Sequence, residues 1–98
     1  MSTYILSPAA QADIDRIWDY TADNWSIPQA DRYTRQIREA CASISPNGRE
    51  GRRIFEVRTG YRKLTVGSHF IIFRIVDSQV DVVRILHQRM DIASHLED

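Results

Sequence analysis

The sequence predicts an α+β fold, a helical hairpin packed on one face of an antiparallel sheet in the order β-α-α-β-β-β-β. Three observations carry that expectation. Two stretches in the first half repeat their apolar residues at helical spacing, each entered through capping residues. The second half changes to short runs of β-branched and aromatic residues parted by two-residue turn signals. The 98 residues suit one continuous core, so a single domain over residues 1–98 is expected.

Tyr4-Ile5-Leu6 is a short apolar run, strand-sized, that stops at Ser7-Pro8. Ser is a good N-cap, and Pro suits the first helical position because its missing N–H would lack a partner there anyway. From there Ala10, Ile14, Ile17, Trp18 and Thr21 recur at helical spacing, which predicts a helix over about residues 8–24. Asp13, Asp15 and Asp19 fall on the other sides and read as a solvated face. The break at Trp25-Ser26-Ile27-Pro28-Gln29 opens a second helix, Ser26 and Gln29 having the spacing of a capping box. Ala30, Tyr33, Ile37, Ala40, Cys41 and Ile44 form its apolar stripe, and Ser45-Pro46-Asn47-Gly48 ends it. A short link between the helices predicts an antiparallel pair. Trp18 and Trp25 are expected in the core between them, and Cys41 on the stripe reads as a small core residue.

Past the loop at Gly48–Gly51, which holds Arg49, strands are expected at Ile54–Arg58, Tyr61–Val66, His69–Val76 and Val80–His87, with Arg52 and Arg53 still in the loop. Thr59-Gly60, Gly67-Ser68 and Asp77-Ser78 separate them, each the size of a tight hairpin turn. Alternation along the last strand puts Val83, Ile85 and His87 on one face and Val82, Arg84 and Leu86 on the other.

Composition narrows the function classes. With 43% hydrophobic and 27% charged residues the chain is an ordinary globular protein, not a disordered one. The longest apolar run, Phe70 to Phe73, falls far short of the roughly 20 residues a membrane span needs. No signal peptide is visible after Met1, so a cytoplasmic address without a membrane partner is expected. One cysteine allows no internal disulfide. There is no Gly-rich phosphate loop, no paired Cys/His spacing and no nucleophile elbow, so neither cofactor nor metal is expected.

Formal charge is zero, but it is unevenly spread. Residues 1–48 carry four Arg against six acids, and residues 75–98 two Arg against five. Residues 49–74 carry six Arg and one Lys against only two Glu. A protein that grips nucleic-acid backbones usually shows a basic excess overall, so direct sequence-specific nucleic-acid binding is not expected. The basic middle is either a solvated face balanced by the acidic helices or a docking surface for an acidic partner segment or RNA. His87, at a strand end beside Arg84, has the chemistry of a general acid or base, although a lone His is more often structural. His69, opening a strand after a turn, reads as structural, and Met90 as a cap on the core or part of a partner groove.

Taken together, the segments resemble the ParE branch of the RelE/ParE toxin superfamily over nearly the whole chain. The matching pieces run from Tyr4 to Ala10, from Asp13 to Tyr20, and through Trp25, Ser26, Gln29, Ala30 and Tyr33. They continue with Glu56 to Leu64, Gly67 to Arg74, and Val83 to Asp91. The hairpin G-Y-R-K-L and the ending R-I-L-H-Q-R-M-D are the specific signals; Ser26, where the family often has Gly after the Trp, departs from it only in a turn. The resemblance implies a RelE/ParE-like fold and a non-enzymatic toxin of a type II toxin–antitoxin system. Such a toxin binds and inhibits DNA gyrase, and a ParD-like antitoxin with a flexible tail neutralises it. On this reading Arg58, Arg62, Lys63 and Arg74 face the antitoxin, and Arg84, His87, Arg89, Met90 and Asp91 carry toxicity.

An alternative is a ribosome-dependent mRNA endonuclease on the same scaffold, as in the RelE branch, with His87, Arg62, Lys63 and Arg84 as catalytic groups. Charge neutrality argues against it, as does the absence of any aromatic residue after Phe73. A third reading keeps the scaffold and loses the toxicity, or turns it on another target, because fold alone does not fix function.

Overall fold

A computed structural model describes residues 4–46, 51–53 and 60–96. Ser7 is the first junction. It closes strand β1 (Tyr4–Leu6) and caps helix α1 (Pro8–Asn24), its Oγ accepting the Ala10 N–H at 3.0 Å. Trp25 and Ser26 alone separate α1 from α2 (Ile27–Ala42), and Ser26 Oγ accepts the Gln29 N–H at 3.1 Å. Each such cap contributes about 1 kcal/mol. The link leaves no room for anything but an antiparallel pair, pinned by the Trp18 indole N–H on Asp31 at 2.9 Å.

Strands β2 (Arg52–Arg53), β3 (Arg62–Val66), β4 (His69–Val76) and β5 (Gln79–His87) complete a five-stranded sheet in the order β1-β5-β4-β3-β2. Arg52 and Arg53, expected in the loop, pair with Lys63 and Arg62. The strand expected at Ile54–Arg58 lies outside the described residues. Asp77 and Ser78, both at positive φ, make the tight turn between β4 and β5. No described helix is long and apolar enough to cross a membrane.

Three expectations are corrected. The sheet is mixed, because β1 runs parallel to β5, which a connection carrying helices permits. The β5 register slips between Ile72 and Phe73, so strict alternation breaks at Val83. Val80, Val82 and Ile85 therefore all lie in the core under the helices with Ile14, Ile37, Ile71 and Phe73. Leu86 joins Val83, Tyr61 and Ile72 in a second cluster, and Val82 does not accompany it. A one-turn helix, α3 (Ile92–His95), was not expected; Ile92 and Leu96 close that second cluster.

Candidate functional site

Beyond Leu6 no strand among the described residues lies beside this edge of β5, and side chains take over its backbone groups. Ser7 donates its N–H to Val82 O at 2.9 Å and its Oγ–H to Val83 O at 2.7 Å. Nearly two turns further along α1, Asp13 accepts the Ile85 N–H at 2.9 Å. The same carboxylate takes Arg84 in a two-pronged grip, Nε at 2.7 Å and Nη2 at 2.9 Å, and Arg16 Nη2 at 2.8 Å. Asp13, expected on a solvated face, is in fact only 5% exposed. Burial pushes its carboxyl up, but the bonds from Arg84 and Ile85 and the Arg84 charge outweigh that and hold it below the usual range. The bond to Asp13 in turn raises the Arg84 pKa against the cost of burial. Arg84 also donates through Nη1 to His95 O at 3.0 Å, tying α3 to α1.

Beside this junction a groove of about 710 Å³ opens between the helix pair and the ends of β4 and β5. Its floor holds Tyr33, His69, Ile85 and His87; Ile17, Tyr20, Trp25 and Met90 line it as well. Tyr20 is 66% exposed, Trp25 76% and Met90 45%, so half of the six large exposed hydrophobic residues among the described ones meet at this one place. Trp25, expected in the core, stands at the rim instead, because it caps α1 outside the apolar stripe. Trp18 is half-buried. Clustered exposed apolar side chains of this kind mark interaction surfaces.

The polar floor is highly ordered. Tyr33 Oη accepts the Ser68 N–H at 3.0 Å and lies 2.6 Å from His69 Nδ1. At Gly67 a Cβ would sit 2.6 Å from the Tyr33 hydroxyl, so only glycine lets the turn reach the phenol. The side chain of Gln88 donates to Gly67 O at 3.0 Å, holding the exit of β5 on the same turn. His69 and His87 are register partners, their rings edge to face with centroids 5.2 Å apart. Burial and the nearby His87 push the His69 imidazole down to about 4, against the upward pull of Asp13. Burial also raises the Tyr33 phenol. Among the described residues no three of His, Cys, Asp and Glu converge as metal ligands.

The residues singled out from the sequence separate in space. His87 and Met90 line the groove, with Arg89 exposed between them and its N–H on His87 Nδ1 at 3.1 Å. Asp91 caps α3 through the Ala93 N–H at 3.2 Å, and Arg84 is turned inward to Asp13. Lys63 and Arg74 lie on the sheet face away from the helices. Lys63 Nζ stands 4.2 Å over the Phe70 ring; Arg74, beside Tyr61, is 4.0 Å from Asp81. Arg62 is opposite Phe73 on the helix side of β3, and Arg58 lies outside the described residues. Sequence reasoning missed Tyr20 and Asp13 and undervalued Tyr33 and His69. The one available signal was the crowding of Tyr20 and Trp25 at the helix link.

The fold is that of a small α+β protein with an open groove beside its helix pair, and the comparisons give its class, a toxin of a type II toxin–antitoxin system. Residues 4–92 match the family described as the ParE toxin of the type II toxin-antitoxin system parDE. The chain belongs to that family. It is 48% identical over 96 residues to Toxin ParE1 of Mycobacterium tuberculosis, covering 97% of this chain and 98% of that protein. With Toxin ParE1 of Caulobacter vibrioides it shares 36% over 96 residues, 98% of this chain and 99% of that one. Among solved structures, the chromosomal ParDE TA system from P. aeruginosa superposes with a TM-score of 0.76 at 23% identity. That likeness covers 89% of this chain and 96% of the other, and it concerns the fold.

Proposed function

We propose that this chain is a toxin that inhibits DNA gyrase by binding it in the cytoplasm, without catalysing a reaction, and that a ParD-like antitoxin neutralises it. The observation that carries the proposal is the exit of β5, where His87 and Met90 line the groove and the exposed Arg89 lies between them in the chain. Family membership supports the antitoxin, and the resemblance of the segment from Val83 to Asp91 supports gyrase as target. Within that segment His87, Arg89 and Met90 touch the target, while Arg84 and Asp91 keep it in shape through Asp13 and α3. Lys63 and Arg74 on the outer face, with Arg62 and Arg58, attract the acidic tail of the antitoxin and raise its association rate.

The test is to titrate purified protein into gyrase supercoiling with a cleaved-DNA readout, and in parallel into cell-free translation with mRNA mapping. Accumulated cleaved DNA with translation untouched is the expected result. Codon-positioned mRNA cuts with gyrase unaffected overturn it and move His87, Arg62, Lys63 and Arg84 into a catalytic site.

A further inference from the structure

We infer that His69 and His87 form a specificity-determining pair, two imidazole Nε2–H donors that receive a side-chain carboxylate of the antitoxin segment filling the groove. The inference rests on the toxin–antitoxin reading and assigns the chemistry by which the partner is recognised.

The tautomers follow from the hydrogen bonds. An amide N–H can only donate, so His87 Nδ1, 3.1 Å from the Arg89 N–H, offers its lone pair and the ring proton sits on Nε2. Tyr33 Oη already accepts from Ser68, so its own proton goes to His69 Nδ1 at 2.6 Å in preference to Val66 O at 3.4 Å. His69 too then carries its proton on Nε2. Neither Nε2 has a hydrogen-bond partner among the described residues, and both rings line the groove. Two donors on rings whose centroids are 5.2 Å apart leave positions open to an acceptor from outside, and a carboxylate, with two oxygens, offers one to each.

Charge selects the same occupant. At the groove the single negative charge of Asp13 is shared by two arginines, Arg84 and the two-thirds exposed Arg16, which leaves a net charge of one positive unit there. Tyr20, Trp25 and Met90 provide apolar anchoring around these donors, the arrangement of a rigid aromatic contact beside a polar key. An acidic residue flanked by apolar ones fits this surface. A basic segment would meet Arg16 and two donors with nothing to accept its protons. Because His87 and Met90 belong both to this floor and to the proposed toxic segment, a seated antitoxin covers the toxic segment directly.

The experiment uses the full chain with its co-expressed antitoxin and exploits two substitutions of opposite geometry. Asn places its amide oxygen where Nδ1 was and lacks the outer donor; Gln extends an N–H to the position of Nε2. His69→Asn and His87→Asn are expected to weaken antitoxin binding roughly ten- to hundredfold, whereas His69→Gln and His87→Gln hold it near wild type. Thermal unfolding of each variant separates this from misfolding. A double-mutant cycle with each Asp→Asn and Glu→Gln change in the antitoxin's bound segment then locates one coupled carboxylate. Four variants that bind like wild type overturn the inference while leaving the toxin–antitoxin reading intact. Coupling to no carboxylate overturns it as well, as does loss of gyrase inhibition with antitoxin affinity unchanged, which gives the groove to the target. A wild-type chain that does not bind the antitoxin sinks the underlying reading itself.

Discussion

Two polar clusters lie where the helix pair meets the sheet, one between α1 and β5 and the other between α2 and the ends of β4 and β5, and they differ in which hydrogen bonds remain open. At the Asp13 junction one carboxylate meets two arginines and a backbone N–H, and Arg84 spends a further donor on His95 O. On the groove floor Tyr33, His69 and His87 are also hydrogen-bonded, yet each imidazole keeps one nitrogen without a partner among the described residues. A closed cluster stabilises; an open one is available to something else. The contrast separates groups whose hydrogen bonds are all made within the protein from groups that keep a position free for water or a partner.

The largest effect is expected from Asp13→Ala, which strands Arg84 and the Ile85 N–H. A loss of about 3–5 kcal/mol in urea unfolding is expected, far above that of Asp15→Ala on the exposed side of the helix. Equal losses for the two would erase the distinction between a closed cluster and a solvated face. Tyr33→Phe removes the acceptor of the Ser68 N–H and the partner of His69, and should cost about 1–3 kcal/mol in the same assay.

Acid separates the two clusters by pH. His69 binds a proton near 6.5 when unfolded and only near 4 when folded, so stability falls as pH drops through that window. The Asp13 contribution is present above the ordinary carboxylate pKa and is lost below it, as pH falls through the lowered folded value. Urea midpoints of His69→Gln should flatten in the upper window alone, and those of Asp13→Asn in the lower. Cys41 provides a third reference. Burial pushes its thiol up to about 12, so a thiol reagent should label it only when the chain unfolds. The smallest change in stability belongs to Trp25→Ser, within about 0.5 kcal/mol because the ring is three-quarters exposed. The same substitution should weaken antitoxin binding, a split that isothermal titration can read.

Local signals were legible in the sequence. Ser7-Pro8 and Ser26 with Gln29 marked both helix starts, and Asp77-Ser78 marked a turn whose two positive φ values it then adopts. What escaped depends on partners distant in the chain. Asp13 looked like any surface acid because Arg84 is 71 positions away. The parallel pairing of Tyr4–Leu6 with Val80–Val82 leaves no local trace, and a bulge at Val83 cannot be told from an unbroken alternation. Helix α3, one turn long, is too short for periodicity to show. Of the groove, His87 and Met90 were singled out, but the donors on its floor became visible only once β4 and β5 were in register.

Ser7 spans 76 positions to bond Val83, and Asp13 spans 72 to bond Ile85. During synthesis α1 therefore emerges long before its seat exists, since β5 is the last strand to be made. Long-range closure of this kind delays folding. The groove draws its lining from α1, α2, β4 and the exit of β5, so it is complete only when both ends of that span are in place. A chain made only as far as β4 lacks Ile85, His87 and Met90, and with them one whole side of the groove.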